Sequence, residues 1–330
     1  MDILKLAPKK KIMVIGDFGV DELIVGKMSK ISREGPIPVI QTQEIIVHPG
    51  AAGNVAANIY SMGAQIIPVG IIGNDLYGQY LINYFKERSG SLGLFTQDRK
   101  THVYRKVFGI VPHSFPQQIM RVDSNEKKPV DEKEIISKIE KLIPEADAVV
   151  VTDHEKGTIT PKIIETVSSL SKKYNIPTIG DSRNKIGLFK NFSFLKPNDY
   201  ETICAAENIR LGDEELELAI KDNKRLDKAA SLLIKDLNVK AILLTRGEKG
   251  IKIYENSKDR IKITEVPTRK VEIYDITGAG DSTGAAISIS LACGSSLVEA
   301  AKLGNLAGGI AVSHWGTYAV TSNDLKKATR

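Results

Sequence analysis

Cysteine occurs only at Cys204 and Cys293 in the 330 residues. Two cysteines cannot frame a disulfide-stapled fold, and without a CxxC pair a structural zinc site has no thiolate couple to use. The five histidines, His48, His102, His113, His154 and His314, include no pair at metal-binding spacing. Gly (27) and Pro (13) are too sparse for a collagen-like or low-complexity chain. No apolar run reaches the about 18 residues that a membrane span needs, since Asp281 interrupts the best candidate. The opening Met1-Asp2-Ile3-Leu4-Lys5 lacks the apolar stretch of a secretion signal. A folded protein of the reducing cytoplasm, neither secreted nor membrane-spanning, is the expectation.

What is present is an ordinary globular balance, 42% hydrophobic and 26% charged residues, in a length that suits one large α/β domain or two smaller ones. The net charge of +6 rests on lysines spread along the chain, with only Lys9-Lys10-Lys11 forming a run. No nucleic-acid partner is expected from that pattern, whereas a small anionic substrate is well suited.

Periodicity predicts strands at Lys11–Gly16, Gln65–Ile72, Ala148–Thr152, Pro177–Asp181, Phe192–Leu195 and Ala241–Thr245. Between them it predicts helices over Ala51–Met62, Leu76–Arg88, Asp131–Ile143, Pro161–Lys173 and Lys224–Leu237, with two more over Gly280–Cys293 and Leu297–Trp315. Strands alternating with helices of this length imply βαβ units: a doubly wound, mainly parallel sheet flanked by helices. Two segments, 36–47 and 101–122, alternate apolar and polar residues with no helix between strands. They read as a small accessory sheet, a β lid over the mouth of a single domain spanning residues 1–330.

Among the motifs, Gly16-Asp17-Phe18-Gly19 fails the dinucleotide pattern after two residues. The stretch to Gly26-Lys27 fails as a P-loop, because six residues stand where four belong and Met28 replaces Ser or Thr. What remains is Asp17 and Asp21 just past a first strand, where open α/β sheets bind ligands and carboxylates can accept bonds from a polyol. Gly50-Ala51-Ala52-Gly53-Asn54 opens a helix with small residues, so that backbone can approach a ligand and place Asn54 beside it.

The most specific signal is Asp275-Ile276-Thr277-Gly278-Ala279-Gly280-Asp281, after a strand-like Lys270–Tyr274 and before an apolar helix. Small residues at a helix N-terminus leave backbone N–H groups aligned on an anion. A carboxylate there would repel phosphate unless it takes the proton of an attacking hydroxyl, which makes Asp281 a general base. The same residues match GxSxG at Ser282, but the one downstream histidine, His314, lies inside an apolar helical run, so a serine hydrolase is rejected. Asn198 and Glu201 stand three apart at a helix start. They could serve a hydrated Mg²⁺ with its phosphates or simply cap the helix. Thr245-Arg246-Gly247-Glu248-Lys249-Gly250 forms a strand–turn–strand corner whose glycines could line a nucleotide edge.

Taken in order, these motifs resemble the ribokinase-like carbohydrate kinases of the PfkB family, whose D-T-x-G-A-G-D signature appears as DITGAGD at 275–281, with Ile276 in place of a frequent Thr. The resemblance implies ATP and Mg²⁺ as cofactors, Asp281 as catalytic base and Gly278, Ala279 and Gly280 as anion hole. It implies Asn198 and Glu201 at Mg²⁺ and phosphate, Thr245, Gly247 and Gly250 in the ATP site, and Asn305 near the adenine. Asp17, Asp21, Gly50 and Asn54 would hold the sugar, and K⁺ could bind beside Asp275 and Thr277. A homodimer through the lid is also expected.

Within that family GDFGVDELIVGKMSKISREGPIPVI, HPGAAGNVAANIYSMGA, QQIMRVD and HWGT resemble the bacterial heptose-7-phosphate kinases. This implies a sugar phosphate as substrate. Arg105 and Arg121 fall in the expected lid, where an arginine fork suits a sugar that already bears a phosphate. Ala51 stands where a glycine is usual. The His-x-Gly-His motif of a fused adenylyltransferase is absent, so a kinase step alone is expected. The alternatives are another PfkB-type sugar or nucleoside kinase, and a non-catalytic sugar- or nucleotide-binding regulator.

Overall fold

The computed structural model describes residues 3–111, 116–124, 128, 130–257 and 260–329. A one-turn helix, α1 (Ile3–Leu6), leads into β1 (Lys11–Gly16), and Asp17 alone separates β1 from β2 (Phe18–Ile31). Then come β3 (Pro38–Ala51), α2 (Ala52–Ser61), β4 (Gln65–Gly73), α3 (Leu76–Lys86), β5 (Gly93–Gln97), β6 (His102–Ile110) and β7 (Gln117–Asp123). The middle of the chain forms α4 (Glu132–Leu142), β8 (Ala148–Asp153), α5 (Pro161–Tyr174), β9 (Thr178–Ser182), β10 (Phe194–Leu195), α6 (Asp199–Glu207), α7 (Asp213–Lys221) and α8 (Asn223–Leu237). The remainder is β11 (Ala241–Thr245), β12 (Ile251–Ser257), β13 (Arg260–Val266), α9 (Ala279–Ala292), α10 (Leu297–Val312) and α11 (Ser322–Ala328).

Nine strands form one sheet in the order β13-β12-β11-β10-β9-β8-β1-β4-β5. Every pair from β5 across to β11 is parallel, and β12 and β13 close the edge antiparallel. From β1 the chain steps one way to β4 and later the other way to β8. The strand order therefore reverses at the carboxyl end of β1, the place where doubly wound sheets open a ligand crevice.

Both faces of the sheet are covered, which is why its central strands read as continuous apolar runs. On one side Ile12, Val14 and Val150 pack with α2, α9 and α10. On the other, Met13, Ile15 and Val149 pack with α4, α5 and α8. α9 is buried all along Ser282–Leu291, as a helix enclosed on every side must be. Gly308 lets α10 close upon it, since a Cβ there would stand 2.5 Å from Thr283 Oγ1.

The accessory sheet has the order β3-β2-β6-β7 and confirms the fold class expected from the sequence, with one strand more than the two segments suggested. β2 is 14 residues long but went unread as a strand, because glycines and charges punctuate it. Residues 112–115, inside the expected lid segment 101–122, lie outside the described residues. Strand register sorts the lid's side chains. Asp21 pairs with Tyr104, Leu23 with Lys106 and Lys106 with Arg121, so these share one face. Glu22, Arg105 and Val122 share the other.

One predicted strand is absent. Lys270–Tyr274 runs exposed and forms no strand among the described residues; the Tyr274 N–H donates instead to Val312 O at 2.8 Å, at the end of α10.

Candidate active site

The carboxyl ends of β1, β8, β9 and β10 and the N-terminus of α9 converge at the reversal point. α9 begins after Gly278, which is left-handed at φ 76°, and the first N–H groups of a helix have no acceptor within it. A Cβ on Gly278 would come within 2.7 Å of Asn54 Nδ2, so glycine is required here by backbone and by space. Asp281 follows in the first turn. Its Oδ2 accepts from Asn54 Nδ2 at 2.8 Å, and its Oδ1 lies 4.0 Å from His154 Nε2. Burial pushes the Asp281 carboxyl above the ordinary carboxylate range, against the pull of His154 and the Asn54 hydrogen bond. A carboxylate that holds a proton more readily than usual, beside a helix N-terminus, is equipped to take one from a hydroxyl.

Asn54 is itself fixed. Its Oδ1 accepts from Asn58 Nδ2 at 3.0 Å, and Asn58 Oδ1 accepts from Ser282 Oγ and from Val320 N, both at 2.9 Å. This fully paired buried network ties α2 to α9.

Lys196, directly after β10, is only 5% exposed, with Nζ 2.9 Å from Asp181 Oδ2 at the end of β9. Burial alone would lower its pKa, but Asp181, Glu201 and Asp281 together hold it above the ordinary lysine value. Its stem passes Gly284 of α9, where a Cβ would sit 3.2 Å from Cε. A charged ammonium is thus sealed against the first turns of the helix that carries Asp281. Sequence reasoning passed over Lys196; its position at a strand end was the available signal.

Asn198 and Glu201 form a capping box on α6, each side chain meeting the other's backbone N–H at 2.8 Å. Burial, reinforced by Asp181 and opposed by Lys196, pushes the Glu201 carboxyl up to about 7. The cap therefore exists, and it holds Glu201 beside the Lys196–Asp181 pair. Thr245 lies next to Asn198 through an isolated parallel bridge, with its N–H donating to Pro197 O at 2.9 Å. Gly247 is exposed, and Gly250 is buried where a Cβ would strike Val266 O at 2.3 Å, so its role here is to close the β11–β12 corner. Asn305 lines a cavity of about 680 Å³ along α10, with Thr268, Val271, Leu303 and Leu306 among its walls. The Asn305 amide donates to Val266 O at 2.8 Å.

Asp17, expected against sugar hydroxyls, is buried and occupied with backbone: Oδ2 accepts from His154 N at 2.9 Å and Lys156 N at 3.0 Å, and Oδ1 from Thr158 N at 2.9 Å. Asp21 meets Lys106 Nζ at 3.2 Å and accepts from Thr317 Oγ1 at 3.1 Å. Gly50 lets β3 close on it, since a Cβ would stand 3.0 Å from Asp21 N. Asp275 accepts from Thr277 N at 2.9 Å and Gly316 N at 3.2 Å, which folds the loop before α9.

The two lid arginines part company. Arg105 does not face the crevice with Arg121. It lies on the opposite face, ion-paired to Glu22 and donating to Tyr77 Oη at 3.2 Å. The reason is strand alternation: Arg105 and Arg121 sit in different registers of the β6–β7 ladder. Arg121 is on the inner face with its guanidinium carbon 5.1 Å from the Tyr104 ring centroid, held by Asp123 at 2.6 Å. Lys156 Nζ lies 5.4 Å from the same ring. The Tyr104 hydroxyl is sealed from water and has no hydrogen-bond partner among the described residues. Burial, with the cations of Arg183 and Arg121 adding to it, keeps Lys156 below the ordinary lysine range. Sequence reasoning missed Tyr104, Lys106, Lys156 and Arg183.

The chain matches, over residues 10–324, the family described as pfkB family carbohydrate kinase. It belongs to that family. The bifunctional protein HldE of a Nitratiruptor species is 31% identical over 325 residues, which is 98% of this chain and 65% of that protein. The HldE of Caulobacter vibrioides is 31% identical over 96% of this chain and 62% of its own length, so the chain spans less than two thirds of either relative. Phosphofructokinase-2 from Escherichia coli, in a complex with potassium, superposes with a TM-score of 0.75 at 19% identity, covering 97% of this chain and 99% of that one. The fold is thus ribokinase-like, and this PfkB member is a sugar kinase, a phosphotransferase acting on an alcohol group. Among the described residues no helix is long and apolar enough to cross a membrane.

Proposed function

We propose that this PfkB kinase transfers the γ-phosphoryl group of ATP to a sugar that already bears a phosphate, with D-glycero-β-D-manno-heptose 7-phosphate as substrate and its C1 hydroxyl as acceptor. The observation that carries the phosphorylated substrate is the inner-face cluster: Arg121 and Lys156 flank the ring of Tyr104, whose buried hydroxyl lacks a partner among the described residues. A guanidinium and an ammonium gathered over one aromatic ring suit a dianion. The HldE relatives and the segments resembling heptose-7-phosphate kinases support the heptose.

In this reading Asp281, aimed by Asn54, takes the acceptor proton, and the N-terminus of α9 receives the charge that develops on the transferred group. The adenine would lie in the cavity along α10 beside Asn305. Among the described residues no cluster of three metal-ligating side chains exists. Mg²⁺ keeps its waters and takes one or two carboxylates together with substrate phosphates. Glu201 and Asn198 would hold it, and it would neutralise phosphate charge. Asp275 and Thr277 are the proposed neighbours of K⁺. The exposed Ile45, Met120 and Val122 on the lid support a homodimer through that sheet, which sedimentation would test. The cytoplasm is the proposed compartment.

The test is a panel of sugars with and without phosphate, assayed on wild type and Asp281→Asn. The variant keeps the side-chain shape but loses the base, so kcat should fall by about 10²–10⁴ with KM little changed. Wild-type turnover in that variant would remove Asp281 from the reaction. Preference for an unphosphorylated sugar or a nucleoside would remove the sugar phosphate but leave the kinase.

A further inference from the structure

The phosphoryl-transfer reading leaves His154 without a task. Its Nε2 lies 4.0 Å from Asp281 Oδ1, the carboxylate oxygen that Asn54 does not hold. Its other ring nitrogen, Nδ1, is sealed from water and has no hydrogen-bond partner among the described residues. A neutral imidazole carries a single N–H. With the proton on Nδ1, a buried donor would go unmet while Nε2 turned a lone pair toward a carboxylate. With the proton on Nε2, the N–H faces Asp281 and only a lone pair is left in the dry pocket. The second tautomer is the one these surroundings favour.

The backbone around His154 is over-determined. Its own N–H and that of Lys156 are bound by Asp17 Oδ2, Thr158 N–H by Asp17 Oδ1, and Glu155 N–H by Asp153 Oδ1 at 2.9 Å. Glu155 is held at φ 60°, a left-handed conformation that a non-glycine residue adopts at a cost. Two buried aspartates thus fix a five-residue turn whose inward side chain, 13% exposed, is His154.

We propose that His154 is a positioning residue for the catalytic base. Its Nε2–H closes onto Asp281 Oδ1 when sugar is bound. The carboxylate, gripped by Asn54 at one oxygen and His154 at the other, then keeps its remaining lone pairs for the acceptor hydroxyl. The proton leaving that hydroxyl goes to Asp281; His154 donates a hydrogen bond and transfers nothing. This rests on Asp281 being the base. The other charged groups near Asp281 are Asp181 at the end of β9 and Lys196 after β10. Those flanking His154 are Asp17 after β1 and Asp153 at the end of β8. A donor to the ionised carboxylate favours its charged form, so removing that donor should make the base titrate at higher pH.

The experiment compares wild type, His154→Ala, His154→Gln and Asp281→Asn by kcat, both KM values and the pH profile of kcat/KM, with melting curves to establish folding. His154→Ala should lower kcat by about 10–100-fold, the worth of one charge-assisted hydrogen bond. The KM for ATP should stay within about twofold, and the acid limb should move to higher pH. His154→Gln, which can still donate, should recover part of kcat and bring the limb back. Nitrogen-15 NMR of histidine-labelled wild type should show the proton on Nε2. A folded His154→Ala with kcat within about twofold of wild type and an unmoved acid limb would overturn the proposal, as would an Nδ1–H tautomer. If His154→Ala does not fold, the glutamine variant and the tautomer decide. An inactive Asp281→Asn beside a normal His154→Ala sinks the positioning role alone, whereas an active Asp281→Asn sinks the base and this role together.

Discussion

Asn54 and Asp281, 227 residues apart in the chain, are joined by a 2.8 Å hydrogen bond from the amide of one to the carboxylate of the other. Because Asn58 locks Asn54 in turn, α2 fixes one oxygen of the base. Asn54→Ala should lower kcat about 10–100-fold with little change in the KM for ATP, as expected on loss of one charge-assisted bond. Asn54→Asp should be worse at neutral pH. Two carboxylates in contact cannot both ionise, so the acid limb of kcat/KM, already raised by the burial of Asp281, should move further up. Full activity of Asn54→Asp at pH 7 would show that this contact does not govern the base.

Glu201 offers a second pH test, through stability. Its folded carboxyl titrates at about 7, above the ordinary 4.5, so the native state binds the proton more tightly than the unfolded chain. The resulting stability is fully present below about pH 4.5 and is lost as pH rises through about 7. Glu201→Gln keeps the acceptor that caps α6 but cannot titrate. Its melting temperature should therefore decline less than that of wild type between about pH 5 and 8, by a few degrees at about 2–4 °C per kcal/mol. Asp281, also raised, titrates in both proteins and cancels in the comparison. The same variant should need more Mg²⁺ for half-maximal rate. Parallel melting curves would show the capping box to be this residue's only contribution to stability.

Arg121 and Arg105 should separate cleanly. Arg121→Ala or Lys156→Ala should raise the KM for a sugar phosphate by roughly 10–150-fold, the equivalent of a charge-assisted bond of about 1.5–3 kcal/mol. Arg105→Ala should leave that KM alone and lower the melting temperature, because its partners Glu22 and Tyr77 are left partly buried without it. Equal effects of Arg105 and Arg121 on KM would mean that the lid folds over its substrate with the other face inward.

Ala51 adopts φ 53° and ψ −126°, backbone suited to glycine, just before α2. Strain of this kind costs on the order of 1–3 kcal/mol, and glycine returns about 0.5–1 kcal/mol of it as chain entropy. Ala51→Gly should therefore raise the melting temperature by about 2–4 °C in a chain of this size. A fall in thermal denaturation temperature would show that the methyl group contributes more by packing than it costs in conformation.

Much of this was legible in the chain. The run KIMVIG became β1 residue for residue, and GAGD became the start of α9, since apolar continuity and small residues at a helix start act locally. The lid's faces were not legible. Arg105 and Arg121 differ by one step of strand parity across a ladder that also bulges between Val107 and Phe108, and nothing local encodes that pairing. His154, Lys156, Arg183 and Lys196 escaped notice for a similar reason. Each follows a strand as an ordinary polar residue, and only the adjacency of β8, β9 and β10 makes them neighbours. Lys270–Tyr274 failed the opposite way: its residues suit a strand, yet its backbone bonds to the end of α10 at Val312.

The buried amide network has a consequence for how the protein is made. Asn58, near the start of the chain, is satisfied by Ser282 and Val320, 224 and 262 residues later. On the ribosome Asn58 Oδ1 and Asn54 Nδ2 must wait for their distant partners until nearly all that sequence has emerged, and such contacts form slowly. In refolding from denaturant, helical signal and burial of the sheet should return before turnover does. Catalytic competence should be the last property this chain acquires, because its base is aimed by a helix synthesised early and carried by one synthesised near the end.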